Sequence, residues 1–134
     1  MTDRGERNCN PGNIRLNPNI HWLGQIAGTD SAFVTFDTPI NGIRALARII
    51  LNYQREHGLD TVQEIIDRWA PPIENDSGAY AADVAQRMGV GQTDVIDVTD
   101  PAVLDAMVTA IIHHENGECI YDDATISTAI TEAL

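Results

Sequence analysis

The stretch "HHENG", His113 to Gly117, ends a run of helical character, "DPAVLDAMVTAII". Counting back in steps of three and four places Glu115 on the same stripe as Leu104, Val108, Ile111 and Ile112. A carboxylate there has two readings. It can fray into solvent at Gly117 and do nothing. Alternatively, it lies against apolar side chains at the negative end of a helix dipole, where both surroundings favour the protonated acid. A neutral glutamic acid of that kind is what glycoside cleavage uses to protonate a leaving oxygen.

Other residues could share such a site. "RGERNCNPGNIR" is dense in donors, and Asn8, Asn10, Asn13, Arg7 and Arg15 suit sugar hydroxyls and N-acetyl groups as well as turns. Trp22 and Trp69 could stack on a pyranose face or fill a core. Glu74, in "APPIEND", is either a second site acid contacting substrate or a solvated loop acid. His113 and His114 point about 100° apart on a helix, so they do not converge on a metal with Glu115. The spacing is not the HExxH zinc pattern, and no metal or cofactor is expected. Cys9 with His113 or His114 would be a nucleophilic pair, but no local signature supports it. GxSxG, P-loop and GxGxxG motifs are absent.

These residues need elements to hold them. The first forty residues are rich in turn formers, with "NIRL" and the region of Phe33, Val34 and Phe36 reading as a small two- or three-stranded sheet. From Pro39 the pattern is helical. Ile43, Leu46, Ile49, Ile50 and Tyr53 form one face of a helix stopped at Gly58. Thr61 and Glu64 open a second helix as a capping box, ended by Pro71 and Pro72. A third is capped by Asn75, Asp76 or Ser77 and stops at Gly89. "QTDVIDVT" links to the Asp100–Pro101 start of the helix carrying Glu115, and a last short helix turns Ile126 and Ile130 inward after an Asp122 or Asp123 cap. The expected fold is α+β and mainly helical: a small N-terminal sheet followed by about five helices, in one domain over residues 1–134.

Composition limits the partners. The 134 residues carry a formal net charge of −12, which disfavours nucleic acid and anionic membranes and leaves polysaccharides open. Acidity can also simply keep the chain soluble. With 43% hydrophobic residues a core needs no staples, and no apolar run approaches the ~18 residues of a bilayer span. The polar N-terminus does not read as a signal peptide, so action on a cell wall would need lysis or packaging in a virion. Cys9 and Cys119 show no zinc spacing; they are either two free thiols or one bond joining the chain's ends.

The blocks "RGERNCNPGNIR", "WLG", "FVTFDTPINGIRALARIILNY", "TVQEIIDRWAPPIENDSGAY" and "HHENG…Y" together resemble a family of small phage structural or virion proteins linked to lysozyme-like peptidoglycan hydrolases. In that family's "NNNPGNIR" run, Cys9 takes the second Asn place. "AIIHHENG" resembles the end of a lysozyme catalytic helix, and "NPGNIR" the lysozyme sheet motif, in an order that implies a circular permutation. The resemblance implies a peptidoglycan glycan-strand hydrolase, a muramidase or lytic transglycosylase, with Glu115 as general acid. It implies Asp30 or Asp37 as a second carboxylate, with Glu6 as an alternative acid. Asn10, Asn13 and Arg15 would orient sugar, with Trp22, Glu74 and Tyr121 as further substrate contacts. It also implies that Cys9 and Cys119 lie close enough to bond. The other implied role is a non-enzymatic virion component with a degenerate sugar cleft, whose partners are other virion proteins.

Overall fold

A computed structural model of the chain describes residues 4–73 and 75–134. Among these residues there are six helices and one two-stranded sheet: α1 (Arg4–Arg7), β1 (Gln25–Ile26), β2 (Thr35–Phe36), α2 (Pro39–His57), α3 (Val62–Trp69), α4 (Ser77–Met88), α5 (Pro101–Asn116) and α6 (Asp123–Ala133). The fold is α+β and mainly helical, with the sheet near the N-terminus, as the pattern predicted.

Local chemistry sets most of the helix bounds. Thr38, Asp76, Asp100 and Asp122 each accept from a backbone N–H of the first turn of α2, α4, α5 and α6. Thr61 does the same for α3, while Glu64 reaches back to the Thr61 hydroxyl at 3.1 Å. Gly58, Gly89 and Gly117 end α2, α4 and α5 in the left-handed conformation that lacks a Cβ penalty.

Helix α5 packs against α2, α4 and α6. Leu104, Met107, Val108, Ala110, Ile111 and Ile112 are all buried, so it is apolar on almost every side. Helix α6 packs along α2, where Arg48 Nη1 donates to the Ala133 carbonyl at 3.0 Å. Helices α3, α4 and α5 pack in succession. Helix α2 works on two faces. Ile43, Leu46 and Ile50 enter the main core, whereas Ala45 and Ile49 face a second cluster of Ile14, Val34 and Phe36. Burying an Ile or Leu side chain stabilises by about 1.5–3 kcal/mol, so this second seam anchors the N-terminal lobe.

The lobe differs from the pattern in two respects. Residues 4–7, expected to be irregular, form the short α1. "NIRL" is not a strand: Arg15 makes one isolated bridge to Phe33, and the paired strands are β1 and β2, with Gln25 opposite Phe36 and Ile26 opposite Thr35. Backbone geometry explains why "NIRL" does not extend into a ladder. Cys9 and Asn13 adopt φ of 51° and 52°, so the chain turns tightly just before Ile14.

Candidate functional site

Helix α5 ends against the "NPGN" turn. Asn116 Nδ2 donates to the Pro11 carbonyl at 2.7 Å, and Gly5 is close enough that an added Cβ would stand 2.7 Å from Asn116 Oδ1. This contact brings Glu115 to the wall of an open groove of about 510 Å³. One wall is formed by Gly12, Asn13, Ile14, Arg15 and Phe33 of the N-terminal lobe. The other comprises Tyr53 of α2, Arg68 and Trp69 of α3, the Ala70–Pro71 bend, Asn75 and Glu115.

Glu115 is half-buried and held from two sides. The Tyr80 hydroxyl donates to Oε2 at 2.7 Å, and Asn13 Nδ2 donates to Oε1 at 3.4 Å. Tyr80 is itself fixed: Trp69 Nε1 donates to its oxygen at 3.0 Å, and the His114 ring stacks on its ring at 3.7 Å between centroids. His114 Nδ1 in turn lies 2.8 Å from Asp83 Oδ2. Burial, then the adjacent Glu115, push the Tyr80 hydroxyl far above the ordinary phenol range. Tyr80 therefore stays a donor at any working pH. Asn13 shows a second sign of a site. Its backbone is in the left-handed region, and its buried Oδ1 has no hydrogen-bond partner among the described residues.

The other candidates divide sharply. Arg15 lines the groove. Asn10 does not; it is completely buried, donating to the Ile14 and Val34 carbonyls at 3.0 and 2.9 Å and accepting from the Ile14 N–H at 2.9 Å. It cross-links the turn to the lobe's core and has no amide group left for sugar. Asn8 behaves similarly, bonding Asp30 and Thr35. Trp22 packs part-buried on the Ile14–Phe36 cluster, while Trp69 lines the groove.

Asp30 is outside the groove. The Arg4 guanidinium holds it from Nε and Nη2, and the Ala32 and Phe33 N–H groups donate to it. That environment, Arg4 first, keeps its carboxyl well below the usual range. It acts as the lobe's internal anchor. Asp37 accepts from Asn41 Nδ2 at 2.8 Å, also away from the groove. Glu6 lies on α1 near Tyr121 rather than along the groove. Tyr121 is half-buried, its hydroxyl pushed up to about 12 by burial and then by Cys9, Glu6 and Cys119 nearby. Glu74 lies outside the described residues. Among the described residues, Glu115 is thus the one carboxylate lining this groove.

Cys9 and Cys119 are free, the first of the two arrangements that the sequence leaves open; burial raises both thiols, which disfavours a nucleophilic thiolate. Among the described residues, no three His, Cys, Asp or Glu side chains cluster to hold a metal ion, and no helix is long and apolar enough to cross a membrane.

Sequence reasoning missed Tyr80, Arg68, Tyr53, Phe33 and Asn75. Tyr80 carried one signal: it follows the Asp76 cap by four residues on the helix that faces α5, in the block "ENDSGAY".

No family model matches the chain. Over 122 residues, 88% of the chain, it is 40% identical to "Protein P5" of Pseudoalteromonas phage PM2, and the match covers 74% of that protein. The chain therefore belongs to the family of this phage protein.

Proposed function

We propose that this protein cleaves the glycan strands of peptidoglycan as a virion-borne or lysis-stage phage enzyme, with Glu115 as its general acid in a lysozyme-like domain. The observation that carries the reading is Glu115 on the wall of an open groove, aimed by Tyr80 and Asn13 and backed by Trp69. Such a fixed carboxyl group beside space for a sugar is what glycosidic proton transfer requires. Membership of a phage protein family agrees with a wall substrate, because phages must breach walls on the way in or out.

A single groove carboxylate among the described residues favours a lytic transglycosylase over a two-carboxylate muramidase, which needs its partner about 5–9 Å away. In the transglycosylase step Glu115 gives its proton to the glycosidic oxygen as the muramyl C1–O bond breaks. The muramyl C6 hydroxyl closes on C1, and its proton returns to Glu115. The products are a shortened strand and a 1,6-anhydro end, with no water consumed. Arg15 and Asn13 line the subsite from the lobe side, and Trp69 presents its ring from α3.

Dye release from labelled, purified peptidoglycan tests the proposal. Wild type should release dye, and Glu115→Gln should lose at least about 100-fold, the range of a lost general acid. Equal release by the two proteins, or none by wild type, would remove the mechanism.

A further inference from the structure

All basic residues of this chain are arginines, eight of them against twenty acids. An acid excess of that size would ordinarily draw guanidinium groups into ion pairs. Arg4 and Arg87 follow that expectation, with Asp30 and Asp83. The two arginines that line the Glu115 groove do not. Among the described residues neither Arg15 nor Arg68 has a carboxylate partner. Each guanidinium instead lies over an aromatic ring that also lines the groove: Arg15 over Phe33 at 5.1 Å and Arg68 over Tyr53 at 5.4 Å.

Stacking has a specific consequence for a guanidinium. The ring takes up one face of the planar cation, while the five N–H donors point outward in its plane and remain available. The ring also limits rotamer freedom, so less ordering is lost on binding. Among the described residues the groove lining holds two guanidinium groups against one carboxylate, inside a protein of net charge −12. A concave site focuses the field of the charges that line it.

We infer that Arg15 and Arg68 form a carboxylate-reading subsite, so that the groove takes anionic glycan, meaning strands whose sugars carry peptide carboxylates, in preference to neutral glycan. This rests on the proposed wall substrate but concerns binding, which can be measured apart from cleavage. Planar guanidinium donors match a carboxylate bidentately, which gives selectivity over a neutral amide at the same place.

The test is calorimetric titration, at about 0.15 M salt to screen long-range repulsion, on the Glu115→Gln background. The ligands are a soluble muramyl glycopeptide and the same fragment with its carboxylates converted to amides. The native fragment should bind about tenfold tighter, corresponding to roughly 1.4 kcal/mol. Adding Arg15→Gln or Arg68→Gln should remove that preference, so that each variant binds the native and the amide fragments equally. Arg55→Gln, an exposed site at the end of α2 outside the groove, makes the same change in net charge and should leave the preference intact. Equal affinity for the two fragments, no binding of either, or an equal loss in the Arg55 variant would overturn the inference. Cleavage is scored separately on the wild type. Carboxylate-dependent binding without cleavage would remove the enzymatic reading alone, and equal cleavage and binding of both fragments would remove the carboxylate subsite alone.

Discussion

Glu115 gains its meaning from Tyr80. A half-buried carboxyl group on a solvated helix end samples many rotamers, but one tied to a buried phenol and a strained asparagine points one way. If Tyr80 acts by positioning, Tyr80→Phe should lower kcat by about 10–100-fold and change KM less than about threefold, since misplacing a reacting group is costly while sugar contacts remain. A rise in KM with kcat unchanged would place Tyr80 in binding instead. Asp30 belongs to the same scale with the opposite role. Its side chain is 8% exposed and paired to Arg4. The folded protein holds this carboxyl below its unfolded value of about 3.9, so the pair contributes stability that is present above that pH and lost as pH falls. Asp30→Asn should therefore lower Tm at pH 7, and the gap to wild type should narrow progressively below about pH 4. A gap of the same size at pH 7 and pH 2 would show that the charge is not what matters.

The elements explain why sequence reasoning singled out Glu115 but grouped with it residues that the fold holds elsewhere, Asn10, Asp30 and Asp37 among them. Capping and stop signals are local, so Asp100 and the three left-handed glycines were legible at once, while the α4 cap was narrowed to Asn75, Asp76 or Ser77 and the α6 cap to Asp122 or Asp123. The stripe from Leu104 to Glu115 is also local, and it brought Glu115 into view. What the Asn-rich turn does is not local. An amide reads the same whether it meets a sugar or a backbone carbonyl; only the packing of the turn on α2 and the lobe decides that Asn10 is consumed and Asn13 is free to face the groove. That packing depends on Gly42 in α2. A Cβ there would stand 1.7 Å from the Cys9 carbonyl oxygen, and both sides are backbone. Gly42→Ala should cost about 1–3 kcal/mol or more and lift the turn off the helix, seen as a lower Tm together with lost activity. A variant with wild-type Tm would mean that the turn is not seated there. Arg68 and Tyr53 were out of reach for the same reason: they come from different helices, and only the tertiary fold sets them beside Arg15.

At the scale of the whole molecule, charge and shape are unevenly shared. Residues 4–36 hold Arg4, Arg7 and Arg15 against Glu6 and Asp30, leaving one net positive charge in a chain of −12. The acidic load is carried by the helical body. The groove runs along the seam between the two parts, drawing Asn13 and Arg15 from the lobe and Arg68, Trp69 and Glu115 from the body. The proposal that unites these levels is a single acid, Glu115, the one carboxylate lining the groove among the described residues. Mass spectrometry of the fragments released from purified peptidoglycan tests it most directly. The account predicts 1,6-anhydro-muramyl ends from wild type and at least about 100-fold less of them from Glu115→Gln. Reducing muramyl ends from wild type, or the same yield of fragments from both proteins, would contradict it.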